Sequence, residues 1–314
     1  MKRPGWDSLG RLDLPTPLEK APAGLSSGRP LFLKREDVHE LGAFKWRGAL
    51  PTIHAYRERG AAAVVTASTG NHGAAVAWAC RSAGLRAMVY APAGASLAKL
   101  ALIDRLGAEI RLTGTDLDFA KEEGKLFAAD SGLPFFEDGV EPTQYAGYAA
   151  IAEEILDQVP EPPAAVVVPV GNGALLCGIG QALARRSPRT LLAGVAAKEA
   201  PVMALSFAAG GPVDCDRMAT FADGLAVRVA IPEAVTLVNG LAGRMLLVSE
   251  RQMAEAIGAY AGAGIRAEGA AAAGLAALPQ IRDVAGPVVL VVTGRNIDEE
   301  LYRRAVERPV SFPD

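Results

Sequence analysis

The sequence predicts an α/β protein of two open, twisted parallel sheets, and three observations predict it. Short β-branched runs alternate with longer stretches of helical periodicity, the serial order that builds parallel sheets covered by helices on both faces. Capping residues stand at several of the junctions. The chain is 314 residues long, half apolar and 21% charged, which is a globular composition with room for one large core or two linked ones.

Taken in order, LFLKREDV (31–38) reads as a buried strand and GAFKWRGA (42–49) as an apolar turn entering a helix. AAAVVTA (61–67) is a buried strand, followed by a helix at 70–84, a strand at 86–93, a helix at 96–107 and a strand at 108–114. The helix at 116–132 has Asp116 as its N-cap and Gly132 as its C-cap. A helix at 145–159 carries the chain into a second series: strand 164–170, helix 175–186, strand 190–197 and strand 244–250. Ser249 and Gln252 fit a capping box for the next helix. A last strand, GPVVLVVTG (286–294), precedes a helix at 298–307. The expected division is a large domain from residues 1–52 and 141–314 and a small, mobile domain from residues 53–140.

Net charge is −3 with both signs interspersed, and no basic run or arginine–aromatic pattern points to a nucleic acid. The start MKRPGWDSLG has no apolar core of a signal peptide, and the longest apolar stretches are too short to span a bilayer. No membrane partner and a cytoplasmic location are therefore expected. Cys80, Cys177 and Cys215 form no CxxC pair and only three histidines occur, so neither a disulfide framework nor a metal site is expected.

Ligands of open parallel sheets bind beyond the carboxyl ends of the strands. ASTGNHG (67–73) offers hydroxyls, an amide, an imidazole and backbone N–H groups at a helix start, which suits a carboxylate or phosphate better than an ordinary N-cap. PVGNGALLCG (169–178) allows consecutive amides to surround a phosphate, although a tight strand–helix turn explains it equally well. It is neither a P-loop nor the GxGxxG fingerprint, because Leu176 stands where the third glycine belongs. VVTGRNID (291–298) would place the neutral hydroxyl of Thr293 at a crevice floor. Glu268, before an alanine-rich helix, reads by itself as a solvated helix-start carboxylate. Lys45 stands between Phe44 and Trp46. Lysines in such places often snorkel, but a desolvated one becomes an amine nucleophile. Beside a phosphate-binding turn and without a nucleotide fingerprint, it suggests a Schiff base to a phosphorylated aldehyde, pyridoxal phosphate.

The stretches KRED, GAFKWRGA, STGNHG, PVGNGALLCGI, FADGLAV and TGRNID, in this order and spacing, resemble the fold-type II pyridoxal phosphate enzymes, whose fold is that of tryptophan synthase β. The likeness is greatest to the serine/threonine dehydratase (ammonia-lyase) and serine racemase branch, and it runs from TPL (16–18) to NID. It implies that Lys45 is the Schiff-base lysine and takes the α-proton, with Phe44 packed by the pyridine ring. It assigns Asn71 to the 3′ oxygen, the amides of Gly171, Asn172, Gly173, Ala174 and Leu175 to the phosphate, and Thr293 to the pyridine nitrogen. Ser68, Thr69, Asn71 and His72 would receive the substrate carboxylate, Gly224 would lie near the ring, and Glu268 stands where the family has the acid of its EP motif. The larger domain would hold the cofactor, the substrate would be a small amino acid such as threonine or serine, the product a 2-oxo acid and ammonia, and the assembly a homodimer.

Departures from the pattern bear on the reaction. Ala43 replaces a serine, and GNGAL replaces a run of glycines. Thr69 stands where racemases keep a serine acting on the opposite face of the substrate. Lys198, with Glu199 beside it, falls at about the position of a cation-binding glutamate, so the ammonium would replace the cation. Arg295 replaces a glycine and could pair with a second substrate carboxylate or with a structural acid. Within the same chemistry, β-replacement of the cysteine-synthase or threonine-synthase kind, racemisation, or specificity for 3-hydroxyaspartate or phenylserine remain open, as does a non-catalytic amino-acid-binding protein.

Overall fold

The structure, a computed structural model, describes residues 15–26, 28–95 and 97–314; the N-terminal stretch and Ser96, the first residue of the predicted helix at 96–107, lie outside them. Two sheets form, as expected. The larger has the order β1 (Leu18–Lys20), β2 (Leu31–Arg35), β9 (Val288–Val292), β6 (Ala165–Pro169), β7 (Leu191–Ala197), β8 (Arg244–Val248). All its pairs are parallel except β1 with β2. The final strand is thus inserted between an early strand and the middle of the chain. β6 and β9 are apolar at every position and buried throughout, as a parallel sheet covered on both faces requires. The alternation of side chains separates two cores. Val288, Leu290 and Val292 join Ala165 and Val167 against α9 (Glu250–Gly262) and α10 (Gly269–Ala276), whereas Val289 and Val291 join Val166 and Val168 against α5 (Pro142–Gln158) and α6 (Ala174–Arg186).

The smaller sheet is parallel, in the order β3 (Ala63–Ala67), β4 (Arg86–Ala91), β5 (Glu109–Leu112). Its free edge at β3 is lengthened by residues 134–136, where Val65 N–H donates to the Pro134 carbonyl (3.0 Å) and Phe136 N–H to the Val65 carbonyl (2.7 Å). One face packs on α1 (Trp46–Glu58) and α2 (Asn71–Ala83), through Trp46, Ala49, Ile53 and Trp78. The other packs on α4 (Leu117–Asp130), which follows α3 (Leu97–Arg105) in the chain. Residues 52 and 53 both lie within α1, so this helix is continuous across the expected domain boundary.

The cap signals read from the sequence appear with their bonds. The Asp116 carboxylate accepts from Phe119 N–H (2.9 Å). At the other end Leu133 N–H reaches the Ala128 carbonyl and Gly132 N–H that of Ala129, so Gly132 stands one residue past the cap, Ser131. Ser249 and Gln252 form the reciprocal capping box. The sequence reading did not find β1, α7 (Val202–Ala209) or α8 (Pro232–Leu241). α11 (Glu299–Glu307) closes the fold near the predicted place.

Candidate active site

The segment before α1 is tied to the end of β9. Phe44 N–H donates to the Thr293 carbonyl (3.0 Å) and Arg295 N–H to the Gly42 carbonyl (2.8 Å). These bonds set Lys45 at the start of α1, over the carboxyl end of the large sheet. Its ammonium donates to Asp138 Oδ2 at 2.6 Å, and the lysine side chain is only 16% exposed. Phe44 lies beside it, its ring centroid 5.1 Å from Nζ and 5.1 Å from the Tyr148 ring.

Asp138 was not singled out in the sequence. It follows the edge residues 134–136, so the rule that places ligands beyond strand ends applies to it as to the other stretches. Its Oδ1 accepts from Gln144 Nε2 (2.6 Å) and lies 3.6 Å from His72 Nδ1. Burial pushes the Asp138 carboxyl up, but the Lys45 ammonium, His72 and the hydrogen bonds outweigh it and hold the group well below the usual carboxylate range. His72 is buried. Its Nε2 meets the Thr66 hydroxyl at 3.0 Å, and desolvation lowers its pKa. The imidazole is therefore turned inward, and what His72 offers at the helix start is its backbone N–H.

The turn between β6 and α6 has the strand–glycine–helix form expected of residues 169–178. Gly173 has φ +92°, a conformation that L side chains rarely adopt. A Cβ on Gly171 would lie 2.4 Å from the Gly224 carbonyl oxygen, so Gly224 packs directly on this turn. The first-turn amides of α6 have no intrahelical acceptor. One is already engaged: Ala174 N–H donates to Asn172 Oδ1 (3.1 Å), while Asn172 Nδ2 donates to the Asp138 carbonyl (3.1 Å). The side chain that departs from the glycine run therefore braces the loop carrying Asp138.

The α2 start lies across the cleft. Ser68 is buried and its hydroxyl accepts from Gly70 N–H (3.1 Å); Thr69 is half-buried. Asn71 Nδ2 donates to Glu268 Oε1 and Oε2 (3.2 and 3.1 Å), and its Oδ1 accepts from Asn296 Nδ2 (2.8 Å). Asn296 is a second residue that the sequence reading left unassigned. Glu268 is not the solvated carboxylate that its own stretch suggests. It is 8% exposed, and burial pushes its pKa up to about 7 against the opposing bonds from Asn71 and the Asn296 backbone. The cause is Gly294, whose missing side chain leaves room for the carboxylate over the end of β9. Beside it, Thr293 is 2% exposed and its hydroxyl oxygen has no hydrogen-bond partner among the described residues.

Lys198 and Arg295 are the two charged departures from the family pattern. Lys198 is exposed, and its ammonium forms no ion pair among the described residues. Arg295 is half-buried and reaches the His39 carbonyl at 3.5 Å. Among the described residues no group of three or more His, Cys, Asp or Glu could hold a metal ion, and no helix is long and apolar enough to cross a membrane.

Residues 11–294 match the family described as pyridoxal-phosphate dependent enzyme. The chain belongs to this family. An L-threonine ammonia-lyase of Thermotoga maritima is 34% identical over 285 residues, covering 90% of this chain and 71% of that protein. A biosynthetic L-threonine dehydratase of Corynebacterium glutamicum is 32% identical over 306 residues, 94% of this chain and 70% of its own. Among solved structures, the processed form of threonine deaminase isoform 2 from Solanum lycopersicum aligns with a TM-score of 0.88 at 29% identity, covering 93% of this chain and 87% of that one. Maize serine racemase aligns with a TM-score of 0.85 at 26% identity, covering 94% and 92%. The donor set fits the family's cofactor: a half-buried amine, a turn with first-turn amides beyond the engaged one of Ala174, and a buried hydroxyl with no partner among the described residues.

Proposed function

We propose that this chain is a pyridoxal phosphate-dependent ammonia-lyase that eliminates water from a β-hydroxy amino acid such as threonine or serine, after which water hydrolyses the resulting enamine–imine to a 2-oxo acid and ammonia. The observation that carries the reading is the Lys45 amine, set at the strand ends between the phosphate-type turn and the orphan hydroxyl of Thr293. Pyridoxal phosphate, when bound, supplies an aldehyde that links to amines and an electron sink for the pair left on the α-carbon.

The chain's own residues then divide the work. Lys45 holds the aldehyde and, once released, takes the α-proton at Nζ. The amides of Gly171, Asn172, Gly173 and Leu175 are assigned to the phosphate, with Ala174 kept in place by Asn172. Thr293 is assigned to the pyridine nitrogen, where a neutral hydroxyl does not enforce a proton as a carboxylate would. Phe44 is assigned to the ring face, Asn71 to the 3′ oxygen, and Gly224 and Glu268 to the ring's surroundings. Ser68, Thr69, Asn71 and the backbone of His72 present hydroxyls and first-turn N–H groups to the substrate carboxylate, a helix start being suited to an anion. Thr69 is the candidate hydroxyl for the opposite face of the substrate. The proposal includes a cytoplasmic homodimer and a small layer, about residues 53–140, that moves over the bound amino acid with α1 as the shared wall.

The test is to load the purified protein with pyridoxal phosphate, reduce it with borohydride and map the adduct by mass spectrometry. The label is expected on Lys45 and absent from Lys45→Ala, which should lose oxo-acid release by at least about 10³-fold. A panel of L- and D-serine, threonine, 3-hydroxyaspartate and phenylserine then sets the substrate. No label at Lys45 overturns the reading, and a substituted amino acid formed from an added thiol assigns β-replacement instead.

A further inference from the structure

We propose that Asp138 is the counter-ion of Lys45: a positioning residue that receives the ammonium formed when Nζ takes the substrate's α-proton. The inference rests on the reading above, in which Lys45 performs that transfer.

Four observations carry it. The Nζ–Oδ2 distance is 2.6 Å, and among the described residues Lys45 is the one lysine or arginine paired with Asp138. The carboxylate is fixed from behind, Oδ1 by Gln144 Nε2 at 2.6 Å. Gln144 is itself fixed, its Oε1 accepting from Gly139 N–H (2.7 Å) and its Nε2 also reaching the Tyr148 hydroxyl (3.1 Å). Finally, the Asp138 carbonyl is gripped by Asn172 Nδ2, whose other end holds Ala174 N–H. One carboxamide thus joins the turn assigned to the phosphate and the loop that carries the counter-ion. A surface ion pair has no such support.

The step balances. The Cα–H bond breaks, its proton goes to Nζ and its electron pair stays with the substrate. When the β-hydroxyl leaves with the pair of its C–O bond, the retained pair forms the Cα–Cβ double bond. Nζ gives up its proton again, so that water is lost overall and the amine is restored. Positive charge therefore develops on Nζ during proton abstraction and nowhere else on the chain. A carboxylate already in place at hydrogen-bond distance stabilises it without reorganisation, and more strongly in a partly water-excluded cleft than in water.

The test uses Asp138→Asn and Asp138→Glu. Asp138→Asn should keep the borohydride-fixed label on Lys45, lose kcat by about 10²-fold and change KM by less than about threefold. The kinetic isotope effect with α-deuterated substrate should rise, because proton abstraction becomes the slow step. A readout without cofactor or turnover is the acetic anhydride labelling of Lys45 in the cofactor-free protein, scored by mass spectrometry. It should be slow in the wild type and several-fold faster in Asp138→Asn. A kcat within about twofold of wild type, or unchanged labelling, overturns the proposal. Should Asp138→Asn not fold, Asp138→Glu decides: slow labelling and a smaller kcat loss support the proposal, and fast labelling overturns it. Absence of the Lys45 label in the wild type sinks the functional reading itself, whereas a normal label with a normal Asp138→Asn sinks only this inference.

Discussion

Lys45 and Arg47 are two residues apart at the start of α1, and they enter two buried polar clusters of different construction. Arg47 is 4% exposed and bidentate to both Glu36 and Glu154 at 2.7–2.9 Å. Lys34, fully buried, adds a bond to Glu154 (2.6 Å) beside the two from Arg47, and the Thr16 hydroxyl donates to Glu36 (2.6 Å). Two cations face two anions, and every carboxylate oxygen has a partner. This cluster ties the N-terminal segment, β2, α1 and α5 together. The Lys45 cluster is closed on one side only. It has one cation, one carboxylate held low, a second carboxylate pushed up to about 7, an imidazole whose pKa burial lowers, and a hydroxyl without a partner among the described residues. Burial of charge is common to both. What marks the second as a site is where its unused hydrogen-bonding capacity stands: the Thr293 hydroxyl, without a partner among the described residues, lies at the strand end to which the Lys45 segment is tied.

The largest expected effect breaks the comparison at its centre. Arg47→Met leaves Glu36 and Glu154 buried against Lys34 alone, and should destabilise the cofactor-free protein by about 3–5 kcal/mol in urea unfolding. Lys45→Met should lower stability far less, because Asp138 is 27% exposed and can take water in place of the ammonium. Equal losses would mean that the two clusters are both structural.

The same contrast explains how much could be read in the sequence. β6 and β9 were legible because a doubly covered parallel strand is an unbroken β-branched run, and Asp116 and Ser249 because a cap is a local bond. α7 was not, since VMALSFAA is apolar on nearly every side and shows no period. In the site, Lys45 was legible from its aromatic neighbours. Its partner Asp138 lies 93 residues further on, and nothing local marks it. Glu268 was misread alone because its burial depends on Asn71, 197 residues away, and on the bare Gly294. His72 turns inward only because Thr66 and Phe136 offer it partners.

Glu268 sharpens the comparison through pH. Its pKa is raised by burial from an ordinary 4.5 to about 7, so the folded protein binds this proton more tightly than the unfolded chain. Its contribution to stability is fully present below about 4.5 and is lost as pH rises through about 7, on the order of 3 kcal/mol in all. Asp138 has the opposite sign: its depressed pKa contributes stability above its ordinary 3.8 that is lost as pH falls through the lower folded value. The melting temperature of the cofactor-free protein should therefore decline with rising pH between about pH 5 and pH 8, and Glu268→Gln should flatten that decline while leaving the acid limb in place. An identical slope in the variant would return Glu268 to the solvated helix start that its own stretch suggested.

The smallest effect separates the clusters by sign. Thr16 and Thr293 are both buried, but the Thr16 hydroxyl donates to Glu36 and accepts from Arg47 Nη2 (2.9 Å), whereas that of Thr293 has no partner among the described residues. Replacing a satisfied hydroxyl by a methyl strands its partners, so Thr16→Val should destabilise by about 1–2 kcal/mol. Replacing an unsatisfied one removes a desolvated group that bonded nothing, so Thr293→Val should leave the cofactor-free protein equal or up to about 1 kcal/mol more stable. The same variant should weaken pyridoxal phosphate binding about tenfold, and Thr293→Ser should restore it. Destabilisation of the cofactor-free protein by Thr293→Val would show that this hydroxyl serves the fold, and the distinction between a saturated cluster and an open one would lose its simplest support.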